Sequence, residues 1–350
     1  MEISTPGRIC LFGEHQDYLG LPIIAMAISL RSYIKGDKAT NKQVTIRKPD
    51  LDDTESFFLD DLIYDNKRDY YKSGIKVCMD EGLSFSHGFN CEVSSKIPIQ
   101  SGTSSSSAIM VSWIHFLSQM ADEPVLWDLK KIAEIAYRAE SLEFNEPGGM
   151  MDQYTTSIGG FIHLESQPSI KIEKINAKLG TFILGDSLEP KDTMRILSRC
   201  KDSRLELMKK LEFRNPGIDF KSCSSNHDLT NLDNDEKELY FGTIKNKEIL
   251  NEALLELNKD KIDHKIIGQL LNDHHSVLRD ILQISTEKIE NMLEAALNAG
   301  AYGGKINGSG GGGCMFAYAP DNPEKVAEAI KNAGGKTYLI HSDIGTQIEK

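Results

Sequence analysis

Apolar positions along this chain follow three kinds of pattern, and each predicts a different element. From Ser105 to Met120 the residues Ala108, Ile109, Met110, Val111, Trp113, Ile114, Phe116 and Leu117 are apolar on nearly every face, which predicts a fully buried helix. From Leu129 the stripe Leu129, Ile132, Ala133 and Ala136 recurs at helical spacing, which predicts a helix over 128–144 with one face inward. Short β-rich runs at 44–46, 89–93, 159–164 and 170–172 read as strands, and 21–30 reads as a buried strand and turn, too short to span a bilayer.

The second half changes character. A strand at 181–184 is followed by helical patterns around 192–211, 245–258, 265–282 and 291–299, and by strands at 305–306 and 314–318. Residues 214–240, rich in Asn, Asp, Ser and Gly, read as a polar surface excursion. A boundary at 175/176 gives two units, 1–175 and 176–350, and a chain of 350 residues that is 40% hydrophobic can fill two cores.

Two loops interrupt this pattern. One is Ser101-Gly102-Thr103-Ser104-Ser105-Ser106-Ser107, opening the buried helix, and the other is Gly308-Ser309-Gly310-Gly311-Gly312-Gly313, set between two strands. Glycines let backbone N–H groups approach an anion, and a helix start adds unpaired amides and the positive dipole end. Gly102, Ser104, Ser105, Ser106, Ser107, Gly310, Gly311 and Gly312 are therefore candidates to hold a nucleotide phosphate. A linker or tight turn is the alternative for 308–313. Neither loop carries the lysine of a P-loop or the Gly-x-Gly-x-x-Gly spacing of a dinucleotide fold.

Carboxylates supply the remaining chemistry. The stripe from Leu129 continues onto Glu140, which puts an acid on a buried face or at the end of the stripe, and a buried acid calls for a proton, a partner or a cation. Asp152 follows the Pro147-Gly148-Gly149 turn; it either caps a helix or enters a cleft, where Arg8 offers a cation that favours its ionised form. Glu14 and Asp17 are closely spaced acceptors suited to vicinal hydroxyls, or two solvated acids in a turn. His274 and His275 point apart on a helix and do not form a metal pair.

These residues resemble the GHMP kinases. The first motif, Pro6-Gly7-Arg8 through Gly13-Glu14-His15-Gln16-Asp17-Tyr18, is similar to galactokinases more than to mevalonate kinases; the serine and glycine loops stand for the second and third. The segment from Ala139 to Gln153 resembles the galactokinase stretch with a metal-binding Glu and, twelve residues later, a catalytic Asp. The stretch Asn272 to Asp280, followed by Ser285 to Ile289, is also galactokinase-like. The resemblance implies an α+β, two-domain GHMP kinase fold, with a ribosomal-protein-like N-terminal domain and a ferredoxin-like C-terminal domain. It implies ATP and Mg²⁺ as cofactors, Ser106 and Glu140 as metal ligands, Asp152 and Arg8 as catalytic residues, and Glu14, His15 and Asp17 as the sugar site. The reaction implied is transfer of the γ-phosphate of ATP to the anomeric hydroxyl of galactose or a related sugar; a heptose- or mevalonate-type kinase, or a sensor without turnover, are the alternatives. One departure falls at Cys200, where galactokinases place a Tyr, and Asp192 or Arg199 could serve the pocket instead.

Composition narrows the partners. A net charge of −12 argues against nucleic acid and against an anionic membrane surface, so positive potential must come from amides, Arg8, Lys305 and the metal. The six cysteines show no zinc spacing and read as free thiols. With no signal-peptide pattern at the start, the chain reads as a cytoplasmic enzyme; its oligomeric state stays open.

Overall fold

The computed structural model describes residues 1–98, 101–146, 148–190 and 193–350. The first sheet contains β1 (Glu2–Phe12), β2 (Ile23–Lys38), β3 (Gln43–Lys48), β4 (Asp53–Phe58), β5 (Phe89–Ser95), β6 (Phe161–Glu165) and β7 (Lys171–Ile175). The second contains β8 (Phe182–Asp186), β9 (Gly303–Ile306), β10 (Cys314–Tyr318) and β11 (Lys336–Ile340), in the order β11-β8-β10-β9 and antiparallel throughout. That order belongs to a ferredoxin-like βαββαβ unit. A last short strand, β12 (Gln347–Ile348), returns to the first sheet and pairs with β1.

The helices are α1 (Tyr70–Asp80), α2 (Ser105–Met120), α3 (Leu129–Tyr137), α4 (Met151–Ile158), α5 (Thr193–Arg214), α6 (Asn234–Leu257), α7 (His264–Ser276), α8 (Glu287–Asn298) and α9 (Pro323–Asn332). The all-round apolar helix is α2. Its Trp113 and Phe116 stack 5.6 Å apart and meet Phe89 of β5 edge-on, with all three rings fully buried. α3 is capped by the Asp128 side chain on Lys131 N, and it runs into a π turn at 138–142 that carries Glu140.

The structure corrects the sequence reading in three places. α6 begins at Asn234, inside the expected surface excursion, because Asp233 and Glu236 form a capping box. Cys223, Leu232 and Tyr240 bury themselves with Leu207 and Leu211 of α5, so the polar segment hides a small core of its own. Strands β1, β4, β11 and β12 and helices α1 and α9 were not anticipated at all.

Two register shifts interrupt the pairing of β1 with β2, at Pro6/Gly7 and at Cys10/Phe12. They bracket Arg8. Between them Arg8 and Cys10 stay in register with Ala27 and Ala25 and turn their N–H groups away from β2: Arg8 N donates to Thr103 O and Cys10 N donates to the Asn307 side chain.

Candidate active site

A cavity of about 760 Å³ opens between the serine loop, the first motif and the start of α5. The first turn of α2 points its unpaired amides into it. Ser104 has φ 61°, a left-handed conformation, and its hydroxyl is buried without a partner. Ser104, Ser105, Ser106 and Ser107 all line the cavity, as do Gly102, Glu140 and Asp152.

Asp152 stands in the first turn of α4. Arg8 Nε lies 2.8 Å from its Oδ1 and Arg8 Nη2 lies 2.7 Å from the same oxygen, which leaves Oδ2 for another group. The third arm of the guanidinium, Nη1, donates to Gly102 O at 2.5 Å. Burial works against the Arg8 charge, yet the carboxylates of Asp152 and Glu14 more than offset it and raise its affinity for the proton.

Glu140 is buried, with no cation among its hydrogen-bond partners. Gln153 Nε2 donates to Glu140 Oε2 at 2.6 Å, and the hydroxyls of Ser106 and Ser107 also face it. Burial pushes its carboxyl up to about 6, against these hydrogen bonds. Gln153 Oε1, beside it, is buried without a partner. A carboxylate with hydroxyls and an amide oxygen around it, and no cation hydrogen-bonded to it among the described residues, fits a divalent cation. Among the described residues no group of three or more His, Cys, Asp and Glu converges, so the donors suit Mg²⁺, which keeps few protein ligands, better than an all-protein cage.

The first motif divides its labour. Asp17 lines the cavity and accepts from Met151 N at 3.2 Å, while burial, then the Asp152 charge, push its carboxyl up to about 6. A Cβ on Gly149 would lie 1.9 Å from Asp17 Oδ2, so that glycine makes room for the carboxylate; Pro147 of the same turn lies outside the described residues. His15 also lines the cavity, but both its ring nitrogens are engaged: Nε2 donates to Ser309 O and Nδ1 accepts from Tyr18, which in turn accepts from Arg204. Burial, and next the Arg204 cation, lower His15 to about 3 and keep it neutral. Glu14 Oε2 accepts from Lys305 Nζ and from Gly308 N, each at 2.9 Å.

That pairing overturns one expectation. Lys305 is fully buried, donates also to Cys10 O, and is neutralised by Glu14, so it lends no positive potential to the cavity. The glycine loop divides in two. Gly308 and Ser309 line the cavity, whereas Gly310, Gly311 and Gly312 do not: a Cβ on each would meet Ile284, Ile196 and Glu189 O respectively, and Gly311 N donates to Ile284 O. Their positive φ angles build the turn that lets Gly308 sit against Gly102.

Cys200 is buried in the core of the second sheet and does not line the cavity; Thr193, Met194 and Leu197 of α5 do. Arg199 donates to Leu282 O and Gln283 O, away from the site, and Asp192 lies outside the described residues. Sequence reasoning missed Arg68, which lines the cavity, pairs with Glu146 and reaches the Met194 sulfur at 3.1 Å. It also missed Gln153 and Asn307, whose amides are informative only once their neighbours are known. Among the described residues no disulfide joins the six cysteines, all of them buried.

Comparison with known proteins decides the family. The model for the GHMP kinases N terminal domain matches residues 69–160, and that for the GHMP kinases C terminal matches 250–336. The chain belongs to the GHMP kinase family. A galactokinase galactose-binding signature also matches, over residues 2–38. The chain is 28% identical to a mevalonate kinase of Thermococcus gammatolerans, covering 99% of this chain and 98% of that one. It is 26% identical to a galactokinase of Actinobacillus succinogenes, covering 94% and 88%. In fold it matches the Lactococcus lactis galactokinase complexed with galactose at a TM-score of 0.83, with 20% identity over 99% of this chain and 94% of that one. The chain is thus an ATP-dependent small-molecule kinase of two-domain GHMP fold, and no helix among its described residues is long and apolar enough to cross a membrane.

Proposed function

We propose that this kinase transfers the γ-phosphate of ATP to the anomeric hydroxyl of a neutral sugar, galactose or a relative of it. The observation that carries this is the charge around Asp152. Next to Asp152 the lining carries Glu14 and Asp17; Lys305 is committed to Glu14, Arg8 to Asp152 and Arg68 to Glu146, which leaves Asp17 with no ion-pair partner among the described residues. A substrate with its own carboxylate, as mevalonate has, or with a phosphate would meet the unpaired Asp17 carboxyl and, among the described lining residues, no cation free to receive it. Neutral hydroxyls donate to such acceptors. The match of residues 2–38 to a galactose-binding signature supports the same reading. The whole-chain identity to mevalonate kinases favours the second reading, a mevalonate-type kinase.

In this reading residues 1–175 provide the serine loop, Glu140, Asp152 and the sugar acceptors, and residues 176–350 provide the glycine loop and α5. The hydroxyl oxygen forms a bond to the γ-phosphorus as the bond to the ADP oxygen breaks, and the hydroxyl proton passes to Asp152 Oδ2. Arg8, fixed on Oδ1, aims the carboxylate so that Oδ2 meets the hydroxyl. Ser106 and Glu140 would hold Mg²⁺, which when bound neutralises phosphate charge. An intact Arg8–Asp152 pair favours turnover over a sensor role. The test is incubation with Mg-ATP and a panel of free sugars, sugar phosphates and mevalonate, read by phosphorus NMR. A sugar 1-phosphate is expected; phosphorylated mevalonate as the favoured product would overturn the proposal.

A further inference from the structure

Asn307 is fully buried where the three loops meet, and its carboxamide is used at both ends. Oδ1 accepts from Cys10 N at 2.9 Å, and Nδ2 donates to Gly102 O at 2.8 Å. Exchanging oxygen and nitrogen would set donor against donor and acceptor against acceptor, so the surrounding groups fix the orientation. Cys10 is paired opposite Ala25, and its N–H, like that of Arg8 two residues earlier, faces away from β2 and is available to the loops. Gly102 O is the same carbonyl that receives Arg8 Nη1. A continuous line of hydrogen bonds, each 2.8 Å or shorter, therefore runs from the Asn307 amide through Gly102 O and Arg8 to Asp152 Oδ1.

We propose that Asn307 is a positioning residue: by holding the Gly102 carbonyl it sets where Arg8 holds Asp152, so that seating the glycine loop and aiming the reacting carboxylate are one adjustment. This rests on the reading of Asp152 and Arg8 as the reacting pair. Gly308 packs directly on Gly102, where its Cβ would lie 2.8 Å from the carbonyl, and the buried Glu14–Lys305 pair pins the same loop from the other side. The loop from the second half of the chain thus reaches the carboxylate of the first half without touching it.

Asn307→Asp separates the two ends, since it keeps an acceptor for Cys10 N and places a carboxylate oxygen against Gly102 O. We expect kcat to fall roughly 10- to 100-fold, as for a misaimed catalytic group, with KM for ATP and for sugar within about threefold. Asn272→Asp is the control. Its half-buried side chain, on α7, accepts from Gly304 N of β9, so it tests an asparagine that clamps the same strand but has no link to Arg8. A readout independent of turnover is the Arg8 Nε–H resonance in ¹⁵N-arginine-labelled protein, assigned by its loss in Arg8→Lys. It should shift and exchange faster in Asn307→Asp and stay put in Asn272→Asp. An unmoved resonance, or an unchanged kcat in the folded variant, would overturn the proposal, as would an equal fall in Asn272→Asp. If Asn307→Asp does not fold, Asn307→Ser, which shortens the side chain without adding charge, carries the same comparison. Should the wild-type protein phosphorylate no sugar, the functional reading fails, and the Arg8 resonance still decides the coupling.

Discussion

At the scale of single residues, the site is built from groups that cost stability. Glu140 is the clearest case. A carboxyl raised to about 6 from 4.5 means that the folded chain binds its proton more tightly than the unfolded chain does. The stability associated with that proton is present in full below 4.5 and is lost as pH rises through 6, so at pH 7 the buried charge costs about 2 kcal/mol. Glu140→Gln should therefore stabilise the metal-free protein by about that amount at pH 7, with the gain vanishing by pH 4, in thermal melts across pH. The same variant should lose most turnover and the stabilisation by Mg-ATP; a variant that keeps both would remove Glu140 from the metal site. Asp152→Asn keeps the shape and should bind both substrates within a few-fold while kcat drops by roughly 10²-fold or more. Full activity in that variant, measured by coupled ADP release, would refute its role.

Elements explain why loops that look alike in sequence do different work. Within one glycine run, Gly308 packs on Gly102 beside the cavity and Gly311 packs on Ile196 of α5. Gly311→Val adds a side chain 2.2 Å from Ile196 Cδ1 at φ +73°, so it should cost roughly 2–5 kcal/mol in urea denaturation. The KM for ATP of the protein that does fold should change little. Gly308→Ala should do the reverse, disturbing kcat more than stability, because the carbonyl it displaces is the one that Arg8 holds. Equal effects of the two substitutions would mean that the loop acts as one rigid unit. The π turn at 138–142 has a comparable role, since it carries Glu140 beside Ser106 and Ser107.

Across the whole molecule, the last residues tie the two sheets together. Arg31 of β2 donates to Ser4 Oγ, Ser4 O, Asp343 Oδ2, Ile344 O and Gly345 O, so one buried guanidinium holds the returning tail. Thr346 N donates to Ser157 O at the end of α4, and Thr346 Oγ1 joins Thr5, Ser112 and His115 in a buried polar network. The tail thereby fixes the end of α4, whose start carries Asp152, and the middle of α2, which presents the serine loop. Arg31→Ala leaves several buried carbonyls without a donor and should cost about 3 kcal/mol in chemical denaturation. A loss under 1 kcal/mol would show that the tail is held by its backbone pairing alone.

The sequence alone was sufficient for the elements with strong periodicity, α2, α3 and the strands β8, β9 and β10, because burial on a fixed face writes itself into spacing. It also marked Arg8, Glu140 and Asp152, whose surroundings are set within a few turns of chain or by a recognisable motif. It could not tell Gly308 from Gly311, or see that Lys305 spends its charge on Glu14, because both depend on what a distant segment places a few ångströms away. Asn307 is the extreme example. An asparagine before a glycine turn carries no signal of its own, and only the meeting of β1, the serine loop and the glycine loop gives its two ends different partners. Spacing along the chain records which face is buried; which polar atoms meet there is decided by how the faces pack.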